Sequence, residues 1–154
     1  MPFSPAVPAV APATRYRWWI LSLLFFATTV NYLDRILLGF LYPIIRDELH
    51  ITDQQYGYVQ ACFSAAYTIG FLIMGKFIDK VGTRAGYTVS LTWWSLAAAL
   101  HGFAGSVFAL GFWRAVLGLG EAGNFPAAIK SVTEWFPQKD RAFATGIFNA
   151  GSNV

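Results

Sequence analysis

In the stretch VNYLDRILLGF, Val30 to Phe40, an aspartate and an arginine stand side by side, Asp34 and Arg35, inside an otherwise apolar run. Neighbours on a helix point about 100° apart, so the two do not face each other and each needs a partner elsewhere. A charge at a bilayer centre costs at least about 2.5 to 3.5 kcal/mol on insertion scales, and residues that carry that cost usually face a bundle interior or a watery cavity. A second polar set lies further along: Arg114 and Glu121 are two helical turns apart, and Asn124 extends the same face. Two kinds of chemistry are on offer. Arg35 has the planar fork that matches a carboxylate bidentately, which makes it the candidate clamp for an anion. Asp34 and Glu121 are carboxylates in a low-dielectric setting, where desolvation and a neighbouring cation pull proton affinity in opposite directions, so protonation can follow conformation. The competing explanation is an ion network that only fixes helix packing, a poor source of stability because desolvation offsets the Coulomb gain. No nucleophile–base pair and no metal-ligand cluster stands out, so neither an enzyme nor a metal site is expected.

The elements that hold these residues follow from composition. Of 154 residues, 56% are hydrophobic and 12% charged, against about a quarter charged in soluble domains. The apolar residues gather into runs long enough to cross a hydrocarbon core, which takes about 20 residues at helical rise. Four are complete: Trp18 to Leu41, Tyr56 to Ile78, Tyr87 to Gly105 and Phe108 to Phe136. A fifth, residues 142–154, stops too short to span. The expected architecture is an all-α membrane protein with four transmembrane helices and a truncated fifth. Residues 1–14, MPFSPAVPAVAPAT, are rich in Pro and Ala and uncharged, which predicts a disordered tail. The run from Trp18 is longer than a signal-peptide core and is followed by further spans, so it is expected to be retained. Cys62 is the only cysteine, which excludes an intrachain disulfide.

Lys and Arg gather at one end of the predicted bundle. Arg15, Arg17, Lys80, Arg84, Lys139 and Arg141 flank it, while the alternate loops hold only Arg46. The positive-inside rule then puts the N-terminus in the cytoplasm, and the net charge of +3 says little about nucleic acid. The opposite loop, RDELHITDQQYG, carries a capping-box pattern from Thr52 to Gln55 that predicts a helix start. Small residues allow close helix approach in lipid. Gly57, Ala61 and Ala65 in the second run, and Gly111, Ala115, Gly118 and Ala122 in the fourth, predict buried contact stripes. Pro126 predicts a bend in the fourth. GLGEAG, Gly118 to Gly123, fits the GxGxxG pattern of dinucleotide sites, but no strand precedes it, so its glycines are expected to be helix contacts. His101 reads as a polar contact at a helix end, and Lys130 as a side chain snorkelling to the inner interface.

The loop GKFIDKVGTRAG is more specific. Gly75, Asp79, Lys80, Gly82 and Arg84 match the GxxxD(R/K)xG(R/K) signature after the second helix of the major facilitator superfamily, which the chain resembles. From Arg114 to Val154, and at NYLDR, the chain is similar to the anion:cation symporter family, especially its bacterial hexuronate and sugar-acid transporters. That resemblance implies twelve helices in two six-helix halves, each built of inverted three-helix repeats, with residues 15–154 forming part of the N-terminal half. It further implies that the first and fourth helices line one cavity. Tyr32 and Tyr67 would supply hydroxyl donors and ring surface for a sugar, and Asn124 and Ser152 are weaker pocket candidates. Asp34 and Glu121 would couple proton uptake to substrate, with Arg114 adjusting Glu121. The implied activity is proton-coupled symport of a hexuronate or aldonate at the inner (plasma) membrane, with the proton as coupling ion and no other cofactor. Expected partners are the small anionic substrate, the lipid bilayer and the remaining C-terminal helices. The alternatives are an organophosphate/phosphate or other organic anion exchanger of the same fold, or a membrane fragment that does not transport.

Overall fold

The computed structural model describes residues 15–153, and the Pro- and Ala-rich segment 1–14 lies outside them. Every regular element among the described residues is helical. In chain order they are α1 (Tyr16–Leu49), α2 (Asp53–Val81), α3 (Thr83–Leu100) with a 3-10 turn (His101–Phe103), α4 (Val107–Glu121), α5 (Asn124–Trp135), α6 (Gln138–Ala150) and a last 3-10 turn (Gly151–Asn153).

The first helix runs past its expected end at Leu41, through Pro43, to Leu49, and its chain reverses at His50 with left-handed dihedrals. The loop to α2 therefore shrinks to residues 50–52. This extension is tied down, because Tyr42 hydrogen-bonds Asp53 and Arg46 pairs with the same carboxylate at 3.2 Å. The capping box forms: Thr52 Oγ1 accepts from Gln55 N at 3.2 Å and Gln55 Oε1 accepts from Thr52 N at 2.8 Å. At the other end, one residue, Gly82, joins α2 to α3, and its φ of 88° is open to glycine without strain.

The expected single helix from 108 to 136 is two helical segments that meet at Ala122 and Gly123. Both residues keep right-handed helical dihedrals, so the path bends without breaking. The cause lies four residues on: Pro126 has no N–H for the Ala122 carbonyl, and its ring crowds that carbonyl.

Helix association in lipid gains little from apolar burial and depends on close packing. A Cβ on Gly118 would lie 2.6 Å from the Phe63 carbonyl oxygen, which leaves α2 and α4 in backbone contact. Gly120 meets Trp93 and Trp94 of α3, and Gly123 meets Ser90. The GLGEAG glycines are thus contacts to two neighbouring helices. Gly111, Gly118 and Ala122 are buried as expected, whereas Gly57, Ala61 and Ala65 are exposed. The face that α2 turns to α4 runs instead through Val59, Phe63, Ala66 and Gly70, and a Cβ on Gly70 would stand 2.9 Å from the Ala122 Cβ. Spacing alone marks a stripe of small residues without saying which side meets a partner.

The core has three parts. At the basic end Leu21 and Leu24 of α1 meet Ala128 and Val132 of α5, Phe136, and Ala144 and Phe148 of α6. At the opposite end Leu38, Val59 and Leu110 cluster, and Trp94, Ala97 and Leu117 join α3 to α4. Outside, Phe40, Phe103 and Phe108 are 77%, 82% and 84% exposed, which suits a hydrocarbon surround better than water. By length and composition α1 and α2 are each apolar enough to cross a membrane.

Candidate functional site

On α1, Asp34 and Arg35 diverge as their spacing requires. Arg35 Nε donates to Glu121 Oε2 at 2.8 Å, and Nη2 donates to Asn31 Oδ1 at 3.0 Å, one turn earlier on the same helix. The guanidinium lies over aromatic rings, 4.3 Å from the Tyr67 centroid, 4.9 Å from Tyr32 and 5.4 Å from Phe63. Cation–π contact of this kind is worth about 0.5 to 2 kcal/mol depending on desolvation. The Arg35 side chain is 22% exposed and that of Glu121 is 0% exposed. One charge of the pair is thus reachable from an open side while its partner is sealed. Glu121 Oε1 is buried and has no hydrogen-bond partner among the described residues.

Arg114 takes other partners. Its Nε donates to Gln60 Oε1 at 3.1 Å, Nη1 to the Asp34 carbonyl at 3.4 Å and Nη2 to the Arg35 carbonyl at 3.1 Å. Buried to 2% exposure, it clips α1 to α2 and α4 at the residues whose side chains carry the charges. The direct contact to Glu121 belongs to Arg35, and Arg114 fixes the backbone from which Arg35 projects. Asp34 turns to a small cavity of about 80 Å³ shared with His101 and Arg114.

Asn124 sits deeper in the bundle, 3% exposed, accepting from Tyr87 Oη at 2.7 Å and donating to Thr28 Oγ1 at 3.3 Å. Its amide strings α1, α3 and α5 together. Ser152, in the last 3-10 turn, donates its hydroxyl to the Asn149 carbonyl of α6 at 2.7 Å. Tyr32 and Tyr67 are half-buried and frame Arg35. The signature loop closes the basic end: Asp79 pairs with Lys130 of α5 at 2.9 Å, Lys130 also donates to the Ile78 carbonyl at 3.1 Å, and Thr83 donates to Glu134 at 2.6 Å. Lys80 and Arg84 stay exposed, and a Cβ on Gly75 would meet nothing within 4 Å.

Two side-chain hydrogen-bond partners of these arginines are absent from the expected set. Asn31 is four residues before Arg35 and therefore on its face, a signal present in the spacing. Gln60 is a lone amide in the apolar run of α2, and its role shows only once α2 and α4 are packed.

Residues 24–154 match the Major Facilitator Superfamily. The chain is 38% identical over 138 residues to a galacturonate transporter of Dickeya chrysanthemi, covering 90% of this chain and 40% of that one. It is 37% identical over 138 residues to a hexuronate transporter of Escherichia coli K12, covering 90% and 32%. A D-galactonate transporter of Escherichia coli O6:H1 is 36% identical over 148 residues, covering 96% and 34%. The chain thus spans 32–40% of the length of these curated relatives, each named as a transporter and none as an enzyme. Among solved structures, a bacterial homolog of the human lysosomal transporter Spinster, inward-facing and occupied, superposes with a TM-score of 0.86 at 26% identity, over 90% of this chain and 30% of that one. The helical order, the signature loop, the charged pair bridging α1 and α4 and these relatives agree: the chain belongs to the Major Facilitator Superfamily.

Proposed function

We propose that this chain is the N-terminal part of a secondary active transporter that carries a sugar acid, a hexuronate or an aldonate, together with a proton by alternating access. The observation that carries this reading is the 2.8 Å contact between a partly open Arg35 and a sealed Glu121. A substrate carboxylate that docks on Arg35 brings a second anion to one cation. Two like charges at about 4 Å in an effective dielectric of about 20 repel by about 4 kcal/mol, so the loaded site favours a proton on Glu121. Substrate and proton then enter together. Tyr32 and Tyr67 offer hydroxyls and ring faces to the sugar, Asp34 is the second acid, and the bond from Arg114 to the α1 backbone transmits changes on α4 to both. The identities of the relatives, which are transporters of galacturonate, hexuronate and D-galactonate, support a sugar acid as cargo.

The test is uptake of galacturonate and galactonate by vesicles holding the full-length carrier. An inward proton gradient should drive accumulation, and a protonophore should abolish it. Accumulation that survives the protonophore would refute the coupling, and no uptake of either acid would refute the cargo.

In this reading α1, α2, α3 with its 3-10 turn, and the bent α4–α5 path each cross the inner membrane, and α6 begins a fifth crossing. The basic end, with Arg15, Lys80, Arg84 and Arg141, faces the cytoplasm because translocating cations is disfavoured. Asp53 then lies outside. With Cys62 replaced by serine, a cysteine at position 53 should react with an impermeant label added to intact cells, and labelling only after the cytoplasmic face is opened would reverse the topology.

A further inference from the structure

We infer that Asn31 is a positioning residue: it fixes which edge of the Arg35 guanidinium meets the substrate carboxylate. The inference rests on the reading of Arg35 as the anion clamp and adds a residue that holds the clamp without touching the cargo. An arginine can only donate, so the Asn31 amide turns its oxygen to Nη2, at 3.0 Å. Long side chains on a helix lean toward its N-terminus, which carries Arg35 back over the turn that Asn31 occupies. A guanidinium presents paired N–H groups along two edges, one shared by Nε and Nη2 and the other by Nη1 and Nη2. Glu121 takes Nε at 2.8 Å and Asn31 takes Nη2, so the first edge is filled from two helices. Nη1 enters neither bond, and the edge it shares with Nη2 is the one left for a carboxylate.

The rings around Arg35 do not choose the edge. Cation–π attraction to Tyr67, Tyr32 and Phe63 lacks the directionality of a hydrogen bond, so it holds the charge in place without selecting which N–H groups point outward. The two hydrogen bonds select it, and they respond differently to the transport cycle. The Glu121 bond joins α1 to α4 and loses its ionic partner when Glu121 takes a proton. The Asn31 bond lies within α1 and uses an amide, which does not titrate, so neither protonation of Glu121 nor displacement of α4 breaks it. Asn31 gives little to the fold in return. It is 1% exposed, yet its Nδ2 has no hydrogen-bond partner among the described residues, and a buried donor left unpaired is a cost. For packing alone, leucine with the same branched shape would serve at least as well.

Two variants of the full-length carrier test this. Asn31→Leu keeps the branched shape and removes the oxygen, and Asn31→Ala removes the oxygen without crowding the site. Purified and stable, each should bind galacturonate or galactonate roughly 10-fold more weakly, the scale of one hydrogen bond to a charged group. The loss should fall on the half-saturating concentration for substrate exchange more than on its maximal rate. Because Asn31 acts through the fork of Arg35, Asn31→Leu combined with Arg35→Lys should bind no more weakly than Arg35→Lys alone. Wild-type affinity in either stable variant, or losses that simply add in the combined variant, would overturn the positioning role while leaving the clamp reading intact. Unfolding of both Asn31→Leu and Asn31→Ala would overturn it too and make Asn31 a packing residue. Wild-type affinity in Arg35→Lys would remove the clamp reading itself, and the positioning role with it.

Discussion

In the full-length carrier, Arg35→Lys is expected to weaken sugar-acid binding by about 2 kcal/mol, roughly 30-fold in Kd, the scale of a hydrogen bond to a charged group. The guanidinium is used in three directions at once. Its Nε holds Glu121 at 2.8 Å, Nη2 holds Asn31 at 3.0 Å, and its face lies 4.3 Å from the Tyr67 centroid. An ammonium is a compact, strongly hydrated point charge without a planar fork, so it cannot span Glu121 and Asn31 and still present an edge to a substrate carboxylate. Charge is retained, which matters because removing one partner of a buried pair costs about 3 to 5 kcal/mol and would confuse lost binding with lost folding. The check is a binding titration of purified Arg35→Lys with galacturonate or galactonate beside a thermal-stability control. Wild-type affinity in a stable variant would take the clamp role away from Arg35.

How far the site was legible in the residues depends on where each partner comes from. The divergence of Asp34 and Arg35 follows from helical geometry alone, and so does the common face of Arg114 and Glu121. The capping box at Thr52 and the bend ahead of Pro126 are local chemistry, and both formed. The fourth-helix charges stood out as candidate partners for the first-helix pair, and Arg35 does meet Glu121, but the partners of Arg114 were not legible. Arg114 donates to the carbonyls of Asp34 and Arg35, and a backbone acceptor leaves no mark in the side-chain pattern. Gln60 is polar in an apolar run, but only the packing of α2 on α4 shows that it holds Arg114. The stripe from Gly57 to Ala65 has the right spacing and is exposed all the same, because α2 presents the neighbouring face with Val59 and Gly70 to α4. Element ends slipped for a related reason. The extension of α1 past Leu41 is held by Tyr42 and Arg46 on Asp53, contacts made across the turn to α2. Asn124 shares the face of Glu121 as its spacing demands, yet its amide is taken up by Tyr87 and Thr28.

Replacing either acid by its amide is expected to separate exchange from accumulation. Glu121 is sealed, paired with Arg35 through one oxygen and without a partner on the other among the described residues. If the loaded site needs a proton there, Glu121→Gln mimics the protonated carrier permanently, and Asp34→Asn does the same for the second acid. Asp34→Asn leaves the Arg35 contacts as they are, and in Glu121→Gln an amide oxygen remains to accept from Arg35 Nε, with the tyrosines around the guanidinium unchanged. Reorientation of the loaded carrier should therefore persist in at least one variant, while the proton gradient loses its grip on the cycle and the accumulation ratio falls to about one. A network that merely fixes packing gives a different outcome, because an amide in place of a buried carboxylate leaves Arg35 uncompensated and the fold, binding and exchange fail together. The deciding measurement is substrate exchange alongside gradient-driven uptake in vesicles of Glu121→Gln and Asp34→Asn. Surviving exchange without uphill accumulation is the predicted result, and uphill accumulation in both variants with unchanged pH dependence would contradict the assignment of proton coupling to these two acids.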